Sequence, residues 1–274
     1  MPKQTSSAVI VAVYKDVQAL SLIIDSLLSQ TYSPNEIIIT EDGENEEMKA
    51  YISTLDPSKV IHLTQKDDGW RKNRALNRAV QTSKSDYLIF IDGDCVPYEK
   101  FVESHMVLSE KKHALCGRRT EPGEYFSSRL RNRTSSIKHF VNNYIINFFR
   151  LKKDNTRHYD EGIYLNPKGF IFNLIHKLGR KNSHIVGCNW SCFKEDLLLI
   201  NGFDEDFTLP TTGEDTDVER RLRHFHITMK SCRNSANTIH LYHAKNFDSS
   251  ITKQTEALMR TKKDIFVCKN GINK

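Results

Sequence analysis

The feature that most constrains this chain is a series of short apolar, β-branched runs separated by helical patterns. Residues 8–14 and 87–91 are continuous apolar runs, as expected for strands buried on both faces. Between them, Leu20, Ile23 and Leu27 repeat with the period of an amphipathic helix. Strands that alternate with helices predict parallel βαβ units, whose ligands collect beyond the carboxyl ends of the strands. The sequence therefore predicts an α/β fold with a central, mostly parallel sheet flanked by helices.

The size and composition fit one large domain. The chain has 274 residues, of which 38% are hydrophobic and 27% charged. This balance excludes disordered, collagen-like and coiled-coil classes. No apolar run approaches the ~18 residues that a membrane-spanning helix requires.

The start of the chain and its cysteines both bear on the compartment. The sequence opens Met1-Pro2-Lys3-Gln4 without a signal-peptide pattern, and its six cysteines show no CxxC spacing. We therefore expect a cytoplasmic protein with reduced thiols.

The positive charge is concentrated in one segment. The net charge is +6, yet residues 118–181 hold 14 Lys and Arg against 5 Asp and Glu, a balance of +9, while the remainder carries −3. Aromatic and aliphatic clusters interrupt this basic segment. One interpretation is a solvated cationic face over an apolar core. The other is a surface that contacts an anionic membrane or a lipid-diphosphate-linked acceptor.

Acidic motifs follow two of the predicted strands. Asp92-Gly93-Asp94 ends a buried strand, so both carboxylates can point into one crevice and hold Mg²⁺ or Mn²⁺. Glu41-Asp42-Gly43 ends the strand predicted over residues 36–40, where a carboxylate can accept hydrogen bonds from a base or ribose. Each motif is also compatible with an ordinary Asp-Gly turn.

Three further clusters carry charge or imidazole groups. Arg71 and Lys72 occupy the first turn of a predicted helix, where cations are disfavoured unless they bind an anion or extend along the surface. Glu214, Asp215 and Asp217 exceed what a helix cap requires. His240 and His243 lie near the end of a late strand, where neutral imidazole could complete a Mn²⁺ site.

The order of these motifs resembles an inverting family-2 glycosyltransferase of GT-A fold over roughly residues 8–245. The motifs are, in order, Val13-Tyr14, Glu41-Asp42-Gly43, Asp68-Gly69-Trp70-Arg71, Asp92-Gly93-Asp94, Gly187-Cys188-Asn189-Trp190, Gly202-Phe203-Asp204, Gly213-Glu214-Asp215 and His243. Residues 187–243 resemble the acceptor half of galactosyl- and N-acetylgalactosaminyl-transferases. Bacterial polysaccharide-building enzymes are the nearest relatives that this resemblance suggests.

On the donor side, the resemblance implies a UDP-sugar as substrate. Its expected contacts are the backbone around Val13 and Tyr14 at the base, Asp42 at the uracil or ribose, Asp68 and Arg71 at the base and diphosphate, and Asp92-Gly93 at the ribose or sugar.

On the metal and acceptor side, the resemblance implies Mn²⁺ or Mg²⁺ and a glycan or lipid-linked acceptor. The implied roles are Asp94 and His243 as metal ligands, with His240 as the alternative histidine, Trp190 stacking on a sugar face, Glu214 holding the acceptor and Asp215 as general base. Two departures from the family pattern are Glu41 in place of an aspartate and Thr212 in place of an aromatic residue. No nucleic-acid partner is expected.

The sequence predicts one catalytic domain over residues 1–250, followed by a C-terminal helix over 251–274. Its parts are a nucleotide-sugar half (1–117), a basic helical and loop insertion (118–184) and an acceptor half (185–250). Two alternatives remain, a nucleotidyltransferase and a non-catalytic basic module that binds glycan or nucleic acid. The absence of a glycine-rich phosphate loop weighs against the first and excludes NAD-dependent and P-loop enzymes.

Overall fold

Strands and helices alternate through the first half of the chain. The computed structural model describes residues 5–179, 183–210, 213–244 and 249–274. The elements of the first half are β1 (Ser7–Val13), α1 (Val17–Leu28), β2 (Glu36–Glu41), α2 (Glu46–Ile52), β3 (Val60–Thr64), α3 (Lys72–Thr82), β4 (Tyr87–Asp92), β5 (Cys95–Pro97), α4 (Phe101–Leu108) and β6 (His113–Cys116).

The second half is mainly helical until the sheet resumes. Its elements are β7 (Arg118–Thr120), α5 (Glu124–Arg131), α6 (Ile137–Asn142), α7 (Phe148–Lys153), a 3₁₀ helix (Tyr159–Gly162), α8 (Phe170–Gly179), β8 (Asn189–Phe193), α9 (Lys194–Leu199), α10 (Gly213–His224), β9 (Thr228–Ser231), β10 (Asn237–His240) and α11 (Ser249–Thr261). Helix α11 ends at Thr261, earlier than the C-terminal helix predicted over residues 251–274. Thr212 lies outside the described residues.

A seven-stranded sheet forms the centre of the molecule, in the order β3-β2-β1-β4-β8-β6-β9. All of its pairings are parallel except those of β8, which runs antiparallel to both β4 and β6. This confirms the predicted α/β fold with a mostly parallel sheet. The strands β6 and β8 were not anticipated from the sequence.

Both faces of the sheet are buried, which explains the continuous apolar runs. Along β1, Val9 and Val11 face one apolar core, and Ala8 and Ile10 face the other. Because successive side chains of a strand point to opposite faces, a strand covered on both sides needs apolar residues at every position.

A small second sheet, in the order β5-β10-β7, forms beside the end of β4. His240 pairs with Cys95 in the antiparallel register of β10 and β5, and the Leu241 N–H donates to the Asp94 carbonyl at 2.9 Å. This pairing brings the histidines of a late strand to the Asp92-Gly93-Asp94 turn.

Two expectations concern thiols and membrane spans. All six cysteines are free and buried, consistent with the predicted reduced thiols. Among the described residues, no helix combines the length and apolar character needed to cross a membrane.

Candidate active site

A cavity of about 670 Å³ opens beyond the carboxyl ends of β1, β2 and β4. It is lined by seven of the residues predicted for the donor and the metal, namely Val13, Tyr14, Asp42, Asp92, Gly93, Asp94 and His243. At Gly93, an added Cβ would lie 2.9 Å from the Ala12 carbonyl oxygen. Glycine therefore lets the acidic turn pass close against β1.

Asp42 is buried at the base of this cavity. Its Oδ2 accepts a hydrogen bond from the Arg71 backbone N–H at 2.7 Å, and its Oδ1 accepts one from the Gln65 side-chain amide at 2.7 Å. The carboxylate thus fixes the loop that leads into α3, which forms one wall of the cavity.

Asp68 and Arg71 lie outside the cavity lining. The Asp68 side chain is 62% exposed and pairs with the Arg71 guanidinium at 3.4 Å. Asp67, Gly69 and Trp70 line the cavity in this loop instead.

Lys72 is the cation that the structure brings into the centre of the site. Its Nζ lies 2.7 Å from Asp92 Oδ1 and 3.7 Å from Glu214 Oε1. Burial alone would lower the pKa of Lys72, but the charges of Asp92, Glu214 and Asp215 outweigh it and raise the pKa above its ordinary value. The sequence places both Arg71 and Lys72 in the first turn of this helix, and the family resemblance implies that Arg71 contacts the donor. In the structure, Lys72 lines the cavity and Arg71 does not.

Asp94, His240 and His243 form a cluster suited to a divalent metal. Nε2 of His240 lies 3.2 Å, and Nε2 of His243 3.3 Å, from Asp94 Oδ2, and the three candidate ligand atoms lie within 4.8 Å of one another. Burial would raise the pKa of Asp94, but hydrogen bonds from both histidines hold it well below the ordinary value. One carboxylate and two imidazoles fit Mn²⁺ better than Mg²⁺, which favours oxygen ligands. His240, expected only as the alternative to His243, is thus placed beside it.

Glu214 and Asp215 open helix α10 behind Lys72. The Asp215 Oδ2 accepts a hydrogen bond from the Gly187 N–H at 2.7 Å, and a Cβ at Gly187 would lie 2.6 Å from Asp215 Oδ1. A glycine at position 187 is therefore required for this close approach. Glu214 Oε2 is buried without a hydrogen-bond partner among the described residues.

Both carboxyl groups hold their protons more tightly than usual. Burial raises the pKa of Asp215 to about 6, although the charge of Lys72 opposes the shift. Burial, and then the neighbouring charge of Asp215, raise the pKa of Glu214 to about 8. Near neutral pH the pair therefore carries about one negative charge, favoured on Asp215.

Trp190 does not reach the site, contrary to its expected role as a sugar platform. It is 1% exposed, lies in the antiparallel strand β8, and stacks on Phe90 with the ring centroids 4.5 Å apart. Its position in the middle of the sheet directs the indole into the apolar core, where no sugar can contact it.

A second cavity, of about 770 Å³, shares His240 and His243 with the metal-type cluster. Tyr125, Lys153 and Tyr242 line it, so residues of the basic segment form one of its walls. No motif in the sequence indicated this cavity, because its walls come from segments far apart in the chain.

Relatives of known sequence match only part of the chain. The hyaluronan synthase of Pasteurella multocida is 29% identical over 101 residues, which is 36% of this chain and 10% of that protein. Glycosyltransferase AglE of Haloferax volcanii is 27% identical over 101 residues, which is 35% of this chain and 33% of that protein. The matches therefore span a tenth to a third of these relatives.

Solved structures match nearly the whole fold. The mannosyltransferase PcManGT of Pyrobaculum calidifontis, in complex with GDP-Man and Mn²⁺, superposes with a TM-score of 0.59 at 12% identity, over 95% of this chain and 65% of that one. GalNAc-T7 with UDP, GalNAc and Mn²⁺ gives a TM-score of 0.61 at 13% identity, over 95% of this chain and 48% of that one. These likenesses confirm the predicted GT-A fold.

Two family models match the sequence itself. The model for the N-terminal domain of galactosyltransferase matches residues 175–244, the segment that holds Gly187, Glu214 and Asp215. The model for glycosyl transferase family 2 matches residues 8–198, well over half of the chain. The protein therefore belongs to glycosyl transferase family 2.

Proposed function

We propose that this protein is a metal-dependent inverting glycosyltransferase. It transfers a hexose or N-acetylhexosamine from a UDP-sugar to a hydroxyl group of a glycan or lipid-linked acceptor in surface polysaccharide biosynthesis. The observation that carries the proposal is the position of Lys72, which joins Asp92 of the acidic turn to the carboxyl pair of Glu214 and Asp215. Lys72 lines the same cavity as Asp94 and His243, and its Nζ also approaches the carboxyl group of Glu214 behind it.

The donor nucleotide is proposed to occupy the cavity at the carboxyl ends of β1, β2 and β4. Tyr14 and Asp42 line the part suited to the base and ribose, and Asp92 and Lys72 line the part nearest the carboxyl pair. The choice of UDP rests on the family resemblance, and it agrees with the UDP in the GalNAc-T7 structure, although PcManGT carries GDP-Man.

Asp94, His240 and His243 would hold Mn²⁺ or Mg²⁺ beside the diphosphate. When bound, the metal would neutralise part of the negative charge that the leaving nucleoside diphosphate gains. Lys72, held protonated by its carboxylate neighbours, adds a second positive charge in a partly dehydrated site.

Asp215 is proposed to accept the proton of the acceptor hydroxyl as that oxygen attacks the anomeric carbon. An alcohol is a poor nucleophile, and a base whose pKa lies near the working pH serves it well. Near neutral pH, Glu214 is protonated and can donate a hydrogen bond to the acceptor. Its Oε2 has no hydrogen-bond partner among the described residues. A single displacement inverts the configuration and needs no covalent glycosyl-enzyme.

The test is release of UDP from a panel of UDP-sugars in the presence of Mn²⁺ and glycan acceptors, with product stereochemistry read by NMR. Asp215→Asn is the matched inactive control. Release that requires acceptor and is lost in the variant supports the proposal. Salt-dependent glycan or nucleic-acid binding without turnover would favour the non-catalytic basic module instead.

We place this reaction in the cytoplasm, at the inner face of the membrane. The support is the free and buried thiols and the basic segment, which together suit an enzyme that extends a membrane-anchored glycan.

A further inference from the structure

One region of the surface is unusually apolar. Of the sixteen large hydrophobic side chains that are exposed in the described part of the chain, nine lie between residues 145 and 175. We define the apolar face as the most exposed of them in two segments: Ile145, Ile146 and Phe149 before and within α7, and Phe170, Ile171 and Leu174 on α8. Phe149 is 83% and Ile146 80% exposed. Concentrated apolar surface of this kind marks an interaction site.

Both segments of the apolar face contact a unit formed by the 3₁₀ helix and Arg233. Near α7, the Phe148 ring lies 5.4 Å from that of Tyr159, in the 3₁₀ helix Tyr159–Gly162. That 3₁₀ helix is ion-paired to Arg233 through Asp160 and Glu161. The Arg233 carbonyl in turn lies 3.3 Å from Nε2 of His176 on α8. The apolar side chains therefore project from anchored helices.

Helix α8 is amphipathic in a way that leaves its apolar side outward. Phe172 is buried and stacks on His176, with the ring centroids 3.9 Å apart. Phe170, Ile171 and Leu174 are turned to solvent. A helix that keeps large apolar side chains exposed needs a non-aqueous surface to cover them.

Exposed cations lie in the same two segments as the apolar face, close to its side chains in the sequence. Arg150, Lys152, Lys153 and Lys168 are exposed. The three acidic residues between positions 129 and 175 have other partners, because Asp160 and Glu161 pair with Arg233 and Asp154 accepts hydrogen bonds from backbone N–H groups of α5. The segments that carry the apolar face therefore also carry exposed cations, while their acidic residues are held by other partners.

We propose that this face docks onto an anionic lipid bilayer. Apolar side chains at the headgroup level, together with flanking cations, are the combination that binds peripheral proteins to such membranes. Docking would also hold the second cavity close to the membrane. Helix α7 exposes Phe149 near its start and ends at Lys153, which lines that cavity beside His240 and His243. The six residues of α7 span only about 9 Å, so the cavity lies near the docked side chains.

The test is flotation of the full chain with phosphatidylcholine vesicles that either lack or contain phosphatidylglycerol. We expect binding to the anionic vesicles alone, reversed at ~0.5 M NaCl by screening. The double variant Arg150→Gln/Lys152→Gln should lower the partition coefficient about 25-fold, since each cation near an anionic surface contributes about fivefold. Ile146→Ser/Phe149→Ser should lower it about tenfold or more.

Matched controls separate the face from general surface properties. Leu198→Ser/Leu199→Ser removes two exposed leucines elsewhere, and Lys59→Gln/Lys84→Gln removes two exposed lysines elsewhere. Both pairs should bind as the wild type does, and unchanged melting temperatures would show that every variant folds. Equal binding to neutral vesicles, binding to neither kind, or equal losses in the controls would overturn the proposal. A dimer that Ile146→Ser/Phe149→Ser converts to a monomer would assign the face to a second copy of the chain.

These experiments can contradict the membrane-docking proposal and the glycosyltransferase proposal independently of each other. Flotation is measured without donor or acceptor, so it does not depend on the proposed function. UDP release with a soluble acceptor should be unchanged in both face variants, because none of the four side chains lines the donor cavity.

Discussion

The Nζ of Lys72 lies 2.7 Å from Asp92 Oδ1 and 3.7 Å from Glu214 Oε1. This cation therefore joins two halves of the site that are far apart in the sequence. Without it, the carboxyl groups of Asp92, Glu214 and Asp215 would share one partly buried region without the cation that lies 2.7 Å from Asp92.

Replacing Lys72 by methionine should lower kcat/KM by about 10²–10³-fold, because the variant loses the buried charge that we propose stabilises the leaving diphosphate. The measurement is steady-state kinetics with donor and acceptor varied separately. Arg71→Met is the matched control, since the Arg71 side chain points to Asp68 and lies outside the cavity lining. A larger loss in Arg71→Met than in Lys72→Met would return the donor role to Arg71.

Replacing Asp215 by asparagine should lower kcat by about 10²–10⁴-fold while UDP-sugar affinity stays nearly intact, because the amide keeps the size of the side chain and removes its basicity. Single-turnover kinetics and calorimetric titration of the donor separate the two effects. Near-native turnover in this variant would reassign the base to Glu214.

The activity should rise with pH through about 6, as Asp215 loses its proton, and fall again through about 8, as Glu214 loses the proton of its proposed hydrogen bond to the acceptor. The direction of each change follows from the proposed roles: Asp215 must be ionised to accept a proton, and Glu214 must be protonated to donate a hydrogen bond. These two values belong to the pair as a whole. A pH profile of kcat/KM for the acceptor measures both limbs. Glu214→Gln should remove the alkaline limb and keep the acid limb; loss of the acid limb instead would reverse the assignment.

Replacing Asp94, His240 or His243 singly by alanine should weaken Mn²⁺ binding by at least about tenfold, since each contributes one ligand of the proposed site. Mn²⁺ binding followed by electron paramagnetic resonance measures this without turnover. His139→Ala, an exposed histidine on α6, is the matched control. Full activity in excess EDTA would contradict metal dependence.

Replacing Trp190 by alanine should lower the free energy of unfolding by about 3–5 kcal/mol, because it empties a large volume in the core. Trp190→Phe should cost less and leave the acceptor KM unchanged. Urea denaturation and acceptor kinetics test this pair. Normal stability with a raised KM in Trp190→Ala would instead support a sugar-stacking role.

The alternation of apolar runs and amphipathic helices determined the parallel half of the sheet, because a strand buried on both faces shows its environment in every residue. Residues 87–91 illustrate this, since each is apolar and buried in β4. Strands β6 and β8 were not predicted, because short strands of mixed composition such as Asn189–Phe193 show no comparable hydrophobic periodicity.

The sequence by itself also located Asp42, Asp92 and Asp94, since carboxylates that end parallel strands must gather at one edge of the sheet. Only the tertiary structure decided which cation joins them, that His240 lies beside His243, and that Trp190 belongs to the core. Helix rotation determines whether Arg71 or Lys72 faces the cavity, and antiparallel pairing across distant segments places the histidines and the tryptophan. Both depend on packing between elements far apart in the chain, which local patterns do not encode.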